Sequence, residues 1–302
     1  MSAPSVVVVG SVNMDLVART PRLPVPGETV SGETFSTLPG GKGANQAVAA
    51  SRLGAPTAFI GCVGDDAFGA TLRDGLQADR IDCRGLRVVP GVSSGVALIV
   101  VDRDGRNGIV IVPGANGELA PADVDRHEPL LAGARIVVLQ LEVPLGTVEH
   151  AVARARALGA LVVLNPAPAR PLPPALLAGV DVLVPNELEA AALTGLPVRS
   201  VEDAVAAGQR LRQAGPRTVL VTLGARGVVA VTAEGAQHHP APVVTAVDST
   251  AAGDTFIGGL CVGLVEARPL EEAIRFAQAA AAVSVTRFGA QPSIPRRDEV
   301  RG

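Results

Sequence analysis

The run Asp248-Ser249-Thr250-Ala251-Ala252-Gly253-Asp254-Thr255-Phe256 sets small residues ahead of a long stretch of helix-forming type. A carboxylate in the first turn of such a helix, here Asp254, lies at the positive end of the helix dipole and can accept a proton from a hydroxyl once an electrophile is aligned. The amides of Ala252, Gly253 and Asp254 at the same terminus can surround an anion, or the charge that develops on one during transfer. Helix capping is the other reading of Asp254.

A second cluster, Gly40-Gly41-Lys42-Gly43-Ala44-Asn45-Gln46, opens an alanine-rich stretch. Its glycines let backbone come close to a ligand, and Lys42 and Asn45 lie one helical turn apart, on one face. The cluster is not a Walker A loop, because Gly43 stands where Ser or Thr should follow the lysine and Ser36 occupies the first glycine position. A tight turn before a surface helix would also explain it.

Other candidates follow short apolar runs. Asn13 and Asp15 come just after the first, in Gly10-Ser11-Val12-Asn13-Met14-Asp15, which keeps only the first glycine of a dinucleotide-binding turn. Amide and carboxylate together suit a polyhydroxylated ligand, although an Asx turn is the plainer account. Glu142 closes a later run. Asn186 and Glu189, at i and i+3, could orient water around magnesium and nucleotide phosphates, or could form a helix cap. Thr222-Leu223-Gly224-Ala225-Arg226-Gly227 can offer a hydroxyl and amides to a polyphosphate, or form a hairpin turn.

Elements must bring these positions together. Strand-like runs at Ser5 to Val9, Thr57 to Val63, Ile136 to Gln140, Leu161 to Leu164, Val182 to Val184 and Thr218 to Thr222 alternate with alanine-rich helical stretches. That alternation predicts βαβ units and a mostly parallel sheet whose carboxyl edge carries the ligand residues. Gly54, Gly159, Gly195 and Gly215 follow helical stretches where a left-handed cap belongs. The rhythm breaks at about residues 12–38 and 88–113, which read as antiparallel strands over one edge of the core, with Asp104-Gly105 as a hairpin turn. No linker-like segment divides the chain, so residues 1–302 are expected to form one unit with a discontinuous lid.

Composition narrows the function classes. With 302 residues, 48% apolar, 18% charged and a net charge of -3, the chain is of ordinary globular type and has no basic stripe for a nucleic-acid backbone. Trp and Tyr are absent, which removes the usual base-stacking platforms. Cys62, Cys83 and Cys261 lack ligand or disulfide spacing and point to a reducing compartment. No run approaches the roughly 18 apolar residues of a membrane helix, and no signal-peptide pattern opens the chain, so a cytoplasmic location is expected. His238 and His239 are adjacent and would face opposite sides of a strand, while His127 and His150 look like helix-surface residues.

Together the clusters resemble the ribokinase family of carbohydrate and nucleoside kinases, almost end to end. The likeness adds Gly64-Asp65-Asp66, Asn165 through Arg170, Pro185-Asn186-Glu187 and Gly289 through Ser293 to the motifs above. It implies a three-layer αβα core with a mostly parallel sheet and a small antiparallel β lid. It also implies ATP-dependent phosphorylation of D-ribose at the 5-hydroxyl, with 2-deoxyribose, another sugar or a nucleoside as alternatives. On this resemblance Asn13, Asp15, Gly41, Lys42, Asn45 and Glu142 hold the sugar, and Asp254 is both a contact and the proton acceptor. ATP meets Asn186, Thr222, Gly224, Gly227 and the amides of Ala251, Ala252 and Gly253, with Gln278 near the adenosine and Glu189 helping to place Mg2+. Potassium is implied at Asp248, Thr250, Ser284, Arg287, Gly289 and Ser293, and a homodimer through the lid sheets. Ala251-Ala252 stands where the wider family often has Gly-Ala, Phe288 falls inside the cation segment, and a final helix is expected to be missing after Arg297. A non-catalytic sensor and a nicotinamide oxidoreductase fit less well, the first because Lys42, Gly253 and Asp254 are all present, the second because the phosphate-turn glycines are not.

Overall fold

A computed structural model describes residues 3–300, so the first two and last two residues of the unit expected at 1–302 lie outside it. In chain order the strands among the described residues are β1 (Val6–Val9), β2 (Asn13–Arg19), β3 (Thr34–Gly40), β4 (Thr57–Gly64), β5 (Asp82–Val89), β6 (Gly95–Val101), β7 (Asn107–Val112), β8 (Ile136–Leu139), β9 (Leu161–Leu164), β10 (Val182–Leu183), β11 (Thr218–Thr222), β12 (Val228–Thr232) and β13 (Gly235–His239). The helices are α1 (Lys42–Arg52), α2 (Ala67–Ala78), α3 (Pro121–Arg126), α4 (Glu128–Ala132), α5 (Leu145–Ala157), α6 (Pro174–Ala178), α7 (Glu187–Thr194), α8 (Val201–Gln213), α9 (Ala252–Val265) and α10 (Leu270–Ser284).

Nine strands form one sheet in the order β13-β12-β11-β10-β9-β8-β1-β4-β5. From β11 to β5 the pairing is parallel, and β12 and β13 add an antiparallel edge. The inner strands β1, β8, β9 and β10 are apolar at every position because both faces are covered. Their residues still divide by the two-residue period: Val6 and Val8 pack with α1, α9 and α10 on one side, Val7 and Val9 with α5 and α8 on the other. This is the three-layer core expected from the sequence.

The small sheet runs β3-β2-β6-β7. Each outer pair is antiparallel, and the two pairs meet along a parallel β2–β6 seam. Asp102 closes the β6–β7 turn by accepting from the amides of Asp104 and Arg106. The second lid segment begins later than position 88, because Val88 and Val89 pair with Val63 and Gly64 in the large sheet. The four capping glycines all have positive φ, as anticipated.

Glycines govern how closely the layers approach. A Cβ on Gly258 of α9 would lie 2.4 Å from the Ala49 Cβ of α1, and one on Gly263 would lie 2.7 Å from the Ala273 Cβ of α10. Each glycine inside a helix costs roughly 0.5–1 kcal/mol against alanine, so α9 gives up intrinsic stability for contact with both neighbours.

Candidate functional site

Strand order in the large sheet reverses at β1: later strands add on one side through β4 and on the other through β8. Open α/β sheets bind ligands at the carboxyl ends of strands flanking such a point. Asn13 and Asp15 follow β1, Glu142 follows β8, and the amino terminus of α1 closes over them.

That closure needs two glycines. Gly41, at φ 88°, precedes α1, and a Cβ there would lie 2.7 Å from the Asn13 nitrogen. A Cβ on Gly43 would lie 2.7 Å from the Ser11 nitrogen. Side chains at either position would push α1 away from the β1–β2 connection. With glycine, the Lys42 amide donates to Glu142 Oε2 at 3.1 Å, and Ser11 Oγ donates to the same oxygen at 2.6 Å.

Asp254 sits in the first turn of α9 and is buried. Its Oδ2 accepts from Asn45 Nδ2 at 3.1 Å and its Oδ1 from Gln46 Nε2 at 2.9 Å. The Asn45 Oδ1 atom is buried without a partner among the described residues, a position for a ligand hydroxyl to donate into. Lys42 is drawn to the charges of Asp254, Glu142 and Glu189, which outweigh burial and raise its affinity for a proton. Asp15 differs from its neighbours: no protein donor reaches its carboxylate among the described residues. Burial, reinforced by the charges of Glu142 and Asp254, pushes its carboxyl up to about 7. An acceptor left bare inside a polar pocket suits a ligand rich in hydroxyls.

The start of α9 is open. Its preceding residue, Ala251, is left-handed at φ 60° and offers no side-chain cap. An alanine in that conformation costs about 1 kcal/mol. The tight turn draws the Ala252 amide onto the Ser249 carbonyl at 3.2 Å. The amides of Ala251, Gly253 and Asp254 meet no acceptor among the described residues. Gly253 is exposed, and a Cβ there would meet nothing within 4 Å.

On the other expected side, Asn186 and Glu189 do form the capping box: Asn186 Oδ1 accepts from the Glu189 amide, and the Glu189 carboxylate accepts from Asn186 N and Nδ2. Glu189 is nevertheless buried facing Lys42 and Asp254, and burial raises its pKa. The segment from Thr222 to Gly227 is the hairpin between β11 and β12. Gly227 is required by the backbone, since a Cβ would lie 2.1 Å from the His239 oxygen, whereas Gly224 faces open space at φ 55°. Gln278 is buried and donates to the His239 carbonyl at 2.9 Å, fastening α10 to β13.

The cation candidates are knitted into one loop pair. Asp248 accepts from the Thr250 amide and hydroxyl and from the Gly289 amide at 2.9 Å. The Ser284 carbonyl accepts from the Arg287 amide, the Ser293 hydroxyl turns to the Ala290 carbonyl, and the Arg287 guanidinium pairs with Glu299. Arg19 at the end of β2 stacks over Phe288 at 4.8 Å, tying the small sheet to this loop.

Four polar residues given no role from sequence belong to the site's frame. Asn116 donates to Asn13 Oδ1 at 2.7 Å and clasps both polar groups of the Val12 backbone, which leaves the Asn13 amide nitrogen free to face a ligand. Gln46, Gln140 and Asn165 form a buried amide chain ending on Asp254. Gln46 and Asn165 lie within recognised motifs, but their partners are 119 residues apart in sequence and no local pattern reveals the contact.

Residues 3–297 match the family described as pfkB family carbohydrate kinase. The chain is 44% identical over 292 residues to the ribokinase of Haemophilus influenzae, covering 97% of this chain and 95% of that one. It is 40% identical over 291 residues to the deoxyribokinase of Salmonella typhi, covering 96% and 95%. The structure of Arabidopsis thaliana ribokinase complexed with ribose and ATP superposes with a TM-score of 0.91 at 36% identity, over 99% of this chain and 98% of that one.

Two alanine substitutions in α9 should separate packing from chemistry. Gly258→Ala is expected to lose about 1–3 kcal/mol of stability through overpacking against α1. Gly253→Ala should leave the melting temperature within about 1 °C while activity falls by at least about 10-fold, because its methyl occupies the space above the free amides. Calorimetry and steady-state rates on both variants check this, and a destabilised Gly253→Ala would show that the space is not open.

Asp15 yields a second expectation. Its folded carboxyl titrates near 7, against about 4 in an unfolded chain, so across that window folding takes up a proton and stability declines as pH rises. Asp15→Asn should therefore raise the melting temperature by about 4 °C at pH 8 and by almost nothing near pH 4. Equal gains at both pH values would remove the buried charge as the cause.

Proposed function

The chain belongs to the pfkB family of carbohydrate kinases, and from that membership we propose that it transfers the γ-phosphoryl group of ATP to the 5-hydroxyl of D-ribose. One observation carries the reading: a buried carboxylate, Asp254, held by two amides directly beside two unpaired backbone amides at an open helix start. A proton acceptor and an anion site in that relation are what transfer to an alcohol requires.

In this reading the sugar lies against Asn13, Asp15, Gly41, Lys42, Asn45 and Glu142. The bare carboxylate of Asp15 and the unpartnered Asn45 oxygen take hydroxyl protons, while Lys42 and the Asn13 amide nitrogen donate. The 5-hydroxyl oxygen attacks the γ-phosphorus as the bond to the β,γ-bridging oxygen breaks. Asp254 takes the proton, and ADP leaves with the electron pair. Amides of Gly253 and Asp254 meet the equatorial charge. The nucleotide lies toward Thr222, Gly224 and Gly227, with Asn186 and Glu189 below and Gln278 behind β13.

The carboxylate of Glu189 retains lone pairs on both oxygens and is a hard-oxygen donor suited to hold Mg2+ through water; the ion would neutralise phosphate charge when bound. The loop pair of Asp248, Thr250, Ser284, Arg287, Gly289 and Ser293 offers oxygen donors of the kind an alkali cation takes, and K+ there would fix the loop before α9. The small sheet serves as a lid. Exposed Ile109, Ile111, Leu98 and Val110 on and beside its edge strand β7 support pairing of lids in a homodimer. A cytoplasmic setting accords with three unpaired cysteines, two of them buried.

Likeness to a deoxyribokinase favours 2-deoxyribose as the second reading. Loss of a hydroxyl would leave buried polar groups without partners, so ribose should have the higher kcat/KM. ADP formation across ribose, 2-deoxyribose, a ketohexose and a nucleoside decides the acceptor. Asp254→Asn should lower ribose turnover by at least about 1,000-fold with binding of ribose little changed, and near-normal turnover would reject the assigned base. For the assembly, equilibrium sedimentation should show a dimer for the native chain and a monomer for the double variant Ile109→Glu, Ile111→Glu; two monomers would discard lid pairing.

A further inference from the structure

An amide side chain is nearly symmetric in shape and opposite in function at its two ends, so a buried amide orients a neighbour only if something else fixes which end points where. Gln46 lies between Asp254 and Gln140, and all three are more than nine-tenths buried. Gln140 Nε2 donates to Gln46 Oε1 at 2.6 Å, which turns the Gln46 amide nitrogen the other way. There it donates to Asp254 Oδ1 at 2.9 Å and to Asn165 Oδ1 at 3.3 Å. Asn165 is itself fixed, because its nitrogen donates to the Val184 carbonyl at 2.9 Å. The opposite orientation of Gln46 would set its oxygen against a carboxylate and a second amide oxygen. Gln140 is packed over Gly10, where a Cβ would lie 2.0 Å from its Oε1.

We propose that Gln46 is the positioning residue for Asp254, and that Gln140, at the end of β8, sets the donor end of Gln46 toward it. The inference rests on Asp254 being the proton acceptor. Asp254 is faced by Asn45, Gln46 and Lys42 from α1, Asp15 from β2, Glu142 after β8 and Glu189 from α7. Three of these are carboxylates and one is an ammonium. Two N–H donors, one on each oxygen, hold the base in a single plane within this negative surrounding, and only the Asn45 donor belongs to a residue that also faces the sugar. Gln46 thus holds the base without touching substrate.

The test compares native protein, Gln46→Leu and Gln140→Leu, each labelled with 13C at aspartate side-chain carboxyls, the Asp254 resonance being assigned through Asp254→Asn. Removing the Gln46 donor should displace the Asp254 carboxyl 13C resonance at a fixed pH. With it, kcat should fall about 10-fold while KM for ATP is unchanged. Gln140→Leu, which touches no atom of Asp254, should shift both in the same direction. An Asp254 resonance and a kcat that match the native ones in folded variants would overturn the proposal, as would an effect confined to KM for the sugar. If Gln46→Leu does not fold, Gln140→Met carries the same comparison. Should the native chain form no ADP with ribose, the acceptor assignment falls, while the Asp254 carboxyl resonance still decides the amide chain.

Discussion

Glu142, Glu189 and Asp254 act on one ammonium, that of Lys42, and Asp15 adds a fourth carboxylate close to Glu142 and Asp254. Such an excess of negative charge in a buried pocket is tolerated only where hydrogen-bond donors replace the lost water. Three of the four carboxylates receive them. Glu142 takes the Ser11 hydroxyl and the Lys42 amide, Glu189 takes Asn186, and Asp254 takes Asn45 and Gln46. Asp15 takes none among the described residues and is the one whose proton affinity rises far. One carboxylate and the Asn45 oxygen still lack donors, a class of group that a sugar's hydroxyls supply, and behind them Gln140 Oε1 is also buried without a partner among the described residues. Binding and stability oppose each other here, since the features that invite a polyol are those the empty protein stabilises least.

The backbone meets this demand by close approach. The Lys42 amide at the start of α1 reaches Glu142 only because Gly41 and Gly43 admit the helix onto the β1–β2 connection. The same placement carries Asn45 and Gln46 to Asp254, more than 200 residues later in the chain. At the other end Gly258 seats α9 on α1, so the base and its two donors are fixed relative to each other by a seam of small residues. Alanine richness in α1, which made it look like an ordinary helix-former, is what the seam needs.

Much of this could be read before any coordinates, because buried parallel strands announce themselves as continuous β-branched runs and the ligand residues follow them. β9 and β11 came out with the expected limits, and the helix-ending glycines took the left-handed conformation. What could not be read depends on pairing between distant segments. The parallel β2–β6 seam leaves no signature in either strand, and Val88 and Val89 joined the large sheet because β4 was there to receive them. Asn116, Gln140 and Asn165 are isolated polar residues whose significance lies wholly in partners remote in sequence. At Asn186 and Glu189 and at the Thr222 hairpin the plain local readings, cap and turn, proved structurally correct. Such geometry is compatible with a ligand role, because a capping carboxylate and a tight turn both leave lone pairs or amides turned outward.

Ala251 shows how the chemical and structural demands meet in one residue. A left-handed alanine is a strained choice where glycine would be free, yet it directs the Ala252 amide inward to Ser249 and leaves the next two amides facing out. A conventional cap, such as Asn186 provides for α7 or Ser200 for α8, would have satisfied the orphan amides and closed the anion site. Leaving α9 uncapped is tolerable because its stability comes from elsewhere: every residue from Asp254 to Gly263 is buried. The strength of that packing is what allows the first turn to remain unsatisfied, and an unsatisfied first turn is the physical condition for stabilising a transferred phosphoryl group.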